Sequence, residues 1–244
     1  IFTIFFSSIL NIYDNRSKII TFFVNKFLAK SIPSTIKYTD NNKNTFWANE
    51  ILDGGYILHF RHTERDKWKD VQMYDALESD VHLNGPDESR YAENEYFDKA
   101  VCLNERGKIQ ARAIGEHIKN IGLPIGNVIT SVSCRSRQTA ELAFGGYDSM
   151  KRILVHIGPY KEDLSLRNEK LKNFYSKIEI LEGTNTIVTS HNSVVTCEMF
   201  ENCNGKTLKI DEGGFFVISK KDGLLYLENT FYNYNSFNKE FYKR

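Results

Sequence analysis

Residues 54–64, Gly54-Gly55-Tyr56-Ile57-Leu58-His59-Phe60-Arg61-His62-Thr63-Glu64, decide how the rest of the chain is read. Five residues with β-favouring side chains leave a double-glycine break and stop at an arginine, a histidine and further polar groups. That is the pattern of a buried strand whose C-terminal end opens into a loop. In open α/β sheets ligands bind at that end of the strands. An Arg-His pair there sets an imidazole nucleophile beside a guanidinium fork that matches phosphate oxygens. The pair gains meaning only if a second arginine and a second histidine stand at the ends of other strands.

The chain supplies both. Val128-Ile129-Thr130 reads as a short strand running into Ser131, Cys134, Arg135, Ser136 and Thr139, and Thr186 to Ser190 reads as a strand ending in His191-Asn192. Helices are expected between them. Asn104 can cap one that carries apolar residues at three- and four-residue spacing and stops at Gly122-Leu123-Pro124. Others are predicted over 135–144, 168–181 and 193–200, with a further strand over 153–157. Residues 215–219 and 224–228 read as a hairpin around Asp222-Gly223. Strand alternating with helix predicts an α/β fold, a three-layer α/β/α sandwich with a mostly parallel central sheet. In such a sheet Arg61, His62, Arg135 and His191 reach one edge, although their segments are far apart in sequence.

Outward from this centre, the domain is expected to span residues 46–231, with a short helix over 47–52 before the glycine break. Residues 1–45 form an N-terminal extension and 232–244 an unassigned aromatic and polar tail. Residues 31–43 are polar and mark a linker. Residues 1–24 hold two apolar runs around Arg16 and Lys18, each shorter than the about 20 residues a spanning helix needs. Two readings of them stay open, the remnant of a signal peptide or membrane tether and a helix pair packing on the domain. The first makes an exported, periplasmic or membrane-tethered location the expectation over a cytoplasmic one. Residues 63–101 are highly charged and read as a long, partly ordered excursion above the strand end, where long loops are either functional lids or disorder.

Composition narrows the function classes. With 32 Lys+Arg against 31 Asp+Glu among 244 residues, the net charge is +1, which excludes a broad basic face for nucleic acid. Any anion site must be local. Four cysteines without CxxC spacing argue against a zinc knuckle and against a disulfide scaffold. A bond between Cys102 and Cys134 stays open, because both precede helices that could flank one pocket.

Taken together, Arg61-His62-Thr63, Ser131 with Arg135, Ser136 and Thr139, His191, and the helix start Leu103 to Ala111 (LNERGKIQA) resemble the histidine phosphatase, or phosphoglycerate mutase-like, superfamily. The resemblance covers roughly Gly54 to Glu228, and the opening GGYILHFRH is similar to the small bacterial phosphatase branch. It implies that His62 attacks phosphorus and carries a phosphohistidine that water hydrolyses, while Arg61, Arg135 and His191 hold the phosphoryl oxygens. Thr63 and Asn192 are expected to add phosphate contacts. The proton donor to the leaving oxygen is assigned to Glu162, with Asp163 and Asp66 as rivals. The resemblance calls for no metal and no cofactor. The expected partner is a small phosphorylated substrate or a phosphoprotein. Two other functions remain open, a catalytically silent phospho-ligand or protein-binding module on the same fold, and a phosphomutase.

Overall fold

The computed structural model describes residues 40–67, 99–156, 163–205 and 207–242. The chain divides into two units, residues 1–39 and residues 40–244. The apolar runs expected to be a signal or tether, residues 68–98 of the charged excursion, and Glu162 lie outside the described residues. Among the described residues no helix is long and apolar enough to cross a membrane.

Helix α1 (Asp40–Glu50) passes through a 3-10 turn (Ile51–Asp53) into strand β1 (Ile57–Arg61). Then follow α2 (Glu105–Ile121), β2 (Ile125–Ser131), α3 (Cys134–Phe144), β3 (Ser149–Lys151), α4 (Leu164–Ser176) and β4 (Asn185–Ser190). Strands β5 (Phe215–Lys221) and β6 (Leu224–Phe231) and helix α5 (Tyr234–Phe241) complete the chain. The sheet order is β3-β2-β4-β1-β5-β6. Strands β3, β2, β4 and β1 run parallel, β5 adds antiparallel to β1, and β6 adds antiparallel to β5. This is the mostly parallel α/β sheet expected from the alternation of elements. The hairpin also turns where expected, with Asp222 at φ +52° and Gly223 at φ +78°, as a two-residue turn between twisted strands demands.

Strand β1 shows why its apolar run is continuous: it is covered on both faces. Leu58 and Phe60 enter a cluster with Ala111, Ile114 and Ile118 of α2, Ala140 and Ala143 of α3, and Phe237 of α5. Ile57 points the other way, into a cluster with Leu171 and Tyr175 of α4. Helix α2 forms because Asn104 accepts from Gly107 N at 2.8 Å and its apolar stripe faces the sheet. A side chain on Gly107 would bring Cβ to 1.9 Å from Glu64 O. The helix therefore begins backbone to backbone against the loop that follows His62, and only glycine allows that approach.

The structure departs from the expected elements in several places. The strand predicted over 153–157 is displaced: β3 ends at Lys151, and Arg152–Leu154 is a 3-10 turn that buries Leu154 under the sheet. The helix predicted over 193–200 is two 3-10 turns, Asn192–Val194 and Cys197–Met199. Val194, Val195, Met199 and Phe200 are all buried while Ser193 and Glu198 are exposed, so tertiary packing of the apolar residues and not a continuous helical stripe sets this segment. Helix α4 starts at Leu164, capped by Asp163 through Ser165 N at 2.8 Å, not at Asn168. The short helix expected at 47–52 begins at Asp40. The unassigned tail holds α5, whose capping box joins Asn233 and Ser236 and whose Tyr234, Phe237 and Phe241 are buried.

Two disulfides cross the domain. Cys102–Cys134 closes with Cα atoms 4.9 Å apart, and Cys197–Cys203 with Cα atoms 5.2 Å apart. The first settles the pairing the sequence left open; the second was not anticipated, since a helix through 197–200 would have hidden it. Loop closure over 32 residues is worth about 4 kcal/mol and over 6 residues about 2 kcal/mol. Reduction should therefore lower Tm, and the Cys102→Ser, Cys134→Ser pair should lower it more than the Cys197→Ser, Cys203→Ser pair. Calorimetry with and without a thiol reductant checks this, and the reverse order would contradict it.

Candidate active site

Three parallel strands end at one edge. Strand β1 ends at Arg61, β2 at Ser131 and β4 at Ser190, and His62 N donates to Ser190 O at 2.9 Å, extending the ladder by one residue. This pairing sets His62 beside His191, whose ring centroid lies 5.3 Å away at 65°. Arg135 sits in the first turn of α3 and is 1% exposed, with His62 at 3% and His191 at 4%. The four residues predicted to meet do meet. Desolvation first, then the cations of Arg135 and Arg61, hold His62 well below the usual imidazole pKa. The same causes in the same order, burial and then Arg135, act on His191.

The tautomer of His62 follows from its partner. Its Nδ1 lies 2.7 Å from Thr63 O, and a carbonyl oxygen only accepts, so Nδ1 carries the hydrogen. The neutral ring then presents an unprotonated Nε2, the form a nucleophile needs. His191 is oriented by serines: its Nε2 lies 3.1 Å from Ser133 Oγ and 3.4 Å from Ser131 Oγ. Ser133 donates its own hydrogen to Ser136 Oγ, so it accepts from His191. Burial beside Arg135 favours its neutral form.

Arg61 donates through Nη1 to Ile210 O at 2.9 Å and through Nη2 to Glu212 Oε1 at 3.3 Å. Its pKa is pulled down by burial, with Glu212 opposing. Thr63, expected to touch phosphate, is fully buried and faces α3: its N–H donates to Thr139 Oγ1 at 3.1 Å, and Thr139 donates to Arg135 O at 2.7 Å. It thus couples the loop after the nucleophile to the helix carrying the second arginine. Asn192 accepts from Ile210 N at 2.9 Å through Oδ1. It also lines a cleft of about 520 Å³ with Asn168, Ser193, Glu198, Thr207 and Lys209. Of the rival proton donors, Asp163 caps α4, which holds its carboxyl below the usual range. Asp66 is exposed and accepts from Asn104 Nδ2 at 3.0 Å.

Three residues at the site carried no usable signal in the sequence. His59 is buried in the sheet; its Nε2 donates to His191 O at 3.3 Å, so its Nδ1 accepts from the Tyr175 hydroxyl at 2.6 Å. His156 stands 5.5 Å from His191, ring centroid to ring centroid. Glu212 meets Arg61 from the turn that precedes the neighbouring strand β5. Alternation along β1 places His59 only inside the core, and nothing local in sequence brings the other two to this edge. Among the described residues no cluster of His, Cys, Asp and Glu side chains is arranged to hold a metal.

Residues 90–154, which carry the Leu103–Ala111 helix start and the Ser131–Thr139 motif, match the model of the histidine phosphatase superfamily (branch 1). The match is to that superfamily and covers this stretch alone. Among solved structures the chain is similar to the protein histidine phosphatase SixA complexed with tungstate. Identity there is 16%, the match covers 74% of this chain and 98% of that one, and the TM-score is 0.45. The Rv3214 product of Mycobacterium tuberculosis matches at 15% identity over 73% of this chain and 97% of its own, with TM-score 0.44. Phosphoserine phosphatase from Entamoeba histolytica, in complex with 3-phosphoglyceric acid, matches at 10% identity over 72% and 95%, with TM-score 0.42. No curated protein matches the chain.

The buried imidazoles make stability depend on pH. Burial brings the His59 pKa down to about 4, against about 6.5 when unfolded. The unfolded chain therefore binds more protons as pH falls. The stabilisation is fully present above about pH 6.5 and is lost toward pH 4, about 3 kcal/mol for His59 alone. His62 and His191 act in the same direction. Tm should fall steadily from pH 7.5 to 4.5, and less steeply in His59→Gln; a level Tm over that range contradicts this account.

Proposed function

We propose that this chain is a histidine phosphatase superfamily enzyme that hydrolyses a phosphomonoester or phosphoramidate through a phosphohistidine on His62. The observation that carries the reading is the buried His62–His191 pair, 5.3 Å apart between ring centroids, with Arg61 and Arg135 beside it and His62 Nδ1–H held by Thr63 O. A tetrahedral dianion is the ligand that two guanidinium groups beside a nucleophilic imidazole suit best, because its charge offsets the cations and its oxygens accept from the guanidinium N–H groups. Nε2 of His62 attacks phosphorus, and the N–P bond forms as the P–O bond to the leaving group breaks. Nδ1–H stays on Thr63 O, so the intermediate is a phosphoimidazolium, a good leaving group when water attacks.

The substrate is a small phosphorylated molecule or a phosphoprotein side chain, and the cleft beside Asn192 is large enough for a leaving group of modest size. Two disulfides support an oxidising compartment, in keeping with an exported protein. Rapid quench during turnover of 4-nitrophenyl phosphate tests the reading. Acid-labile, base-stable phosphate on the protein should appear before free phosphate accumulates. Turnover without such an intermediate would replace this mechanism, and the absence of both turnover and intermediate would leave a binding module.

A further inference from the structure

The proposed reaction leaves one proton unassigned, the one the leaving oxygen takes up. In-line displacement fixes where it must come from: the leaving oxygen lies opposite His62 Nε2. His62, Arg135 and His191 form a floor that is 4% exposed or less, so the apical position opposite points toward the mouth of the site. Beside that floor Arg61 and Glu212 are the more exposed pair, with side chains 21% and 23% exposed.

Glu212 is held there by backbone. Gly213 N donates to both Arg61 O and His62 O at 3.2 Å, Gly214 N to Asp211 O at 2.9 Å, and Gln110 Nε2 to Glu212 O at 3.0 Å. The turn that carries the carboxyl is therefore bonded to the peptide of the nucleophile itself. Its Oε1 lies 3.3 Å from Arg61 Nη2. Among the other described carboxyls near this edge, Glu64 pairs with Arg106, Asp66 with Asn104 and Asp163 with Ser165 N.

We infer that Glu212 is the general acid for the leaving oxygen and, in the second step, the general base for water. This rests on the phosphatase reading above. In the first step the N–P bond forms, the P–O bond breaks, and the leaving oxygen takes the proton from the Glu212 carboxyl. In the second, water attacks phosphorus, its proton returns to Glu212, and the N–P electron pair returns to His62. Substrate binding primes the acid: a dianion arriving at Arg61 weakens the attraction between that guanidinium and Glu212 and adds negative charge beside the carboxyl, both of which favour its protonated form. Burial already raises the Glu212 pKa, partly opposed by Arg61.

The test is Glu212→Gln, which keeps the contact to Arg61 and removes the proton. It is read as kcat/KM, which reports phosphorylation of His62, on 4-nitrophenyl phosphate and on an alkyl phosphate. The nitrophenolate leaves without a proton, whereas an alkoxide cannot. The aryl substrate should change by less than about threefold and the alkyl substrate should fall about 10²- to 10⁴-fold. Phosphohistidine should also accumulate from the aryl substrate, because water is no longer activated. Equal losses on both substrates would make Glu212 a positioning residue for Arg61 and overturn the assignment, as would no loss on either. If wild-type protein forms no phosphohistidine at all, the phosphatase reading falls first and takes this assignment with it. Should Glu212→Gln fail to fold, Glu212→Asp is read the same way: a larger loss on the alkyl than on the aryl substrate supports the assignment, and equal losses overturn it.

Discussion

His62→Ala is expected to abolish turnover of 4-nitrophenyl phosphate, by about 10⁴-fold or more, and to remove the trapped phosphoenzyme with it. The two losses must coincide, because the imidazole both attacks phosphorus and carries it. His62→Ala also removes the Nδ1 hydrogen bond to Thr63 O, so a fall in activity alone could reflect a loosened loop. Thr63 remains tied to Thr139 by its own N–H, and the loop behind it is pressed against Gly107, which argues that the backbone holds. Added imidazole provides the discriminating measurement, since it can occupy the empty space and accept the phosphoryl group. Rescue of phosphate release by imidazole would identify a missing nucleophile. Phosphoenzyme formed in His62→Ala at the wild-type level would refute the role of His62.

The second large effect is expected at Arg135. Its guanidinium is 1% exposed and is the largest charge influence on both His62 and His191 after burial. Arg135→Lys keeps the charge and loses the fork, so kcat/KM should fall about 10²- to 10³-fold; Arg135→Met loses both and should fall about 10³- to 10⁵-fold. The two variants also differ in pH dependence. Removing the cation lets the His62 pKa rise, so the acid limb of the kcat/KM profile moves to higher pH in Arg135→Met and stays nearly in place in Arg135→Lys. If the limb moves equally in both, or in neither, Arg135 does not act electrostatically on the nucleophile. The helix should survive either change, since Thr139 donates to the backbone carbonyl of residue 135 and not to its side chain.

Both predictions rest on residues that could be named from the sequence. Arg61, His62, Arg135 and His191 each follow an apolar run bounded by turn signals, and parallel strands carry their ends to one edge. Where the chain is locally consistent the elements also followed: Asn104 and Gly122 delimit α2, and Asp222-Gly223 turns the last hairpin. The departures share one cause. At 152–156 and 192–200 the apolar residues lack a period, and Leu154, Val194, Val195, Met199 and Phe200 are drawn into the second core cluster while Ser193 and Glu198 stay exposed. Packing, not local preference, then sets their conformation. In the tail the spacing of Tyr234, Phe237 and Phe241 is helical, and it was hidden among other aromatic and polar residues.

By itself, then, the sequence determined the layered α/β class, the sheet edge where chemistry gathers, and the four side chains that gather there. These are encoded by short-range patterns of burial and by residues whose place at strand ends is local. Tertiary structure alone decided the rest: the turn of Thr63 toward α3, the arrival of His156 and Glu212, the closure of both disulfides, and the shared burial that keeps His62 and His191 neutral. Each of these depends on which segments the sheet order β3-β2-β4-β1-β5-β6 brings together, and on how much water is excluded where they meet. Neither quantity is written in any one stretch of the chain.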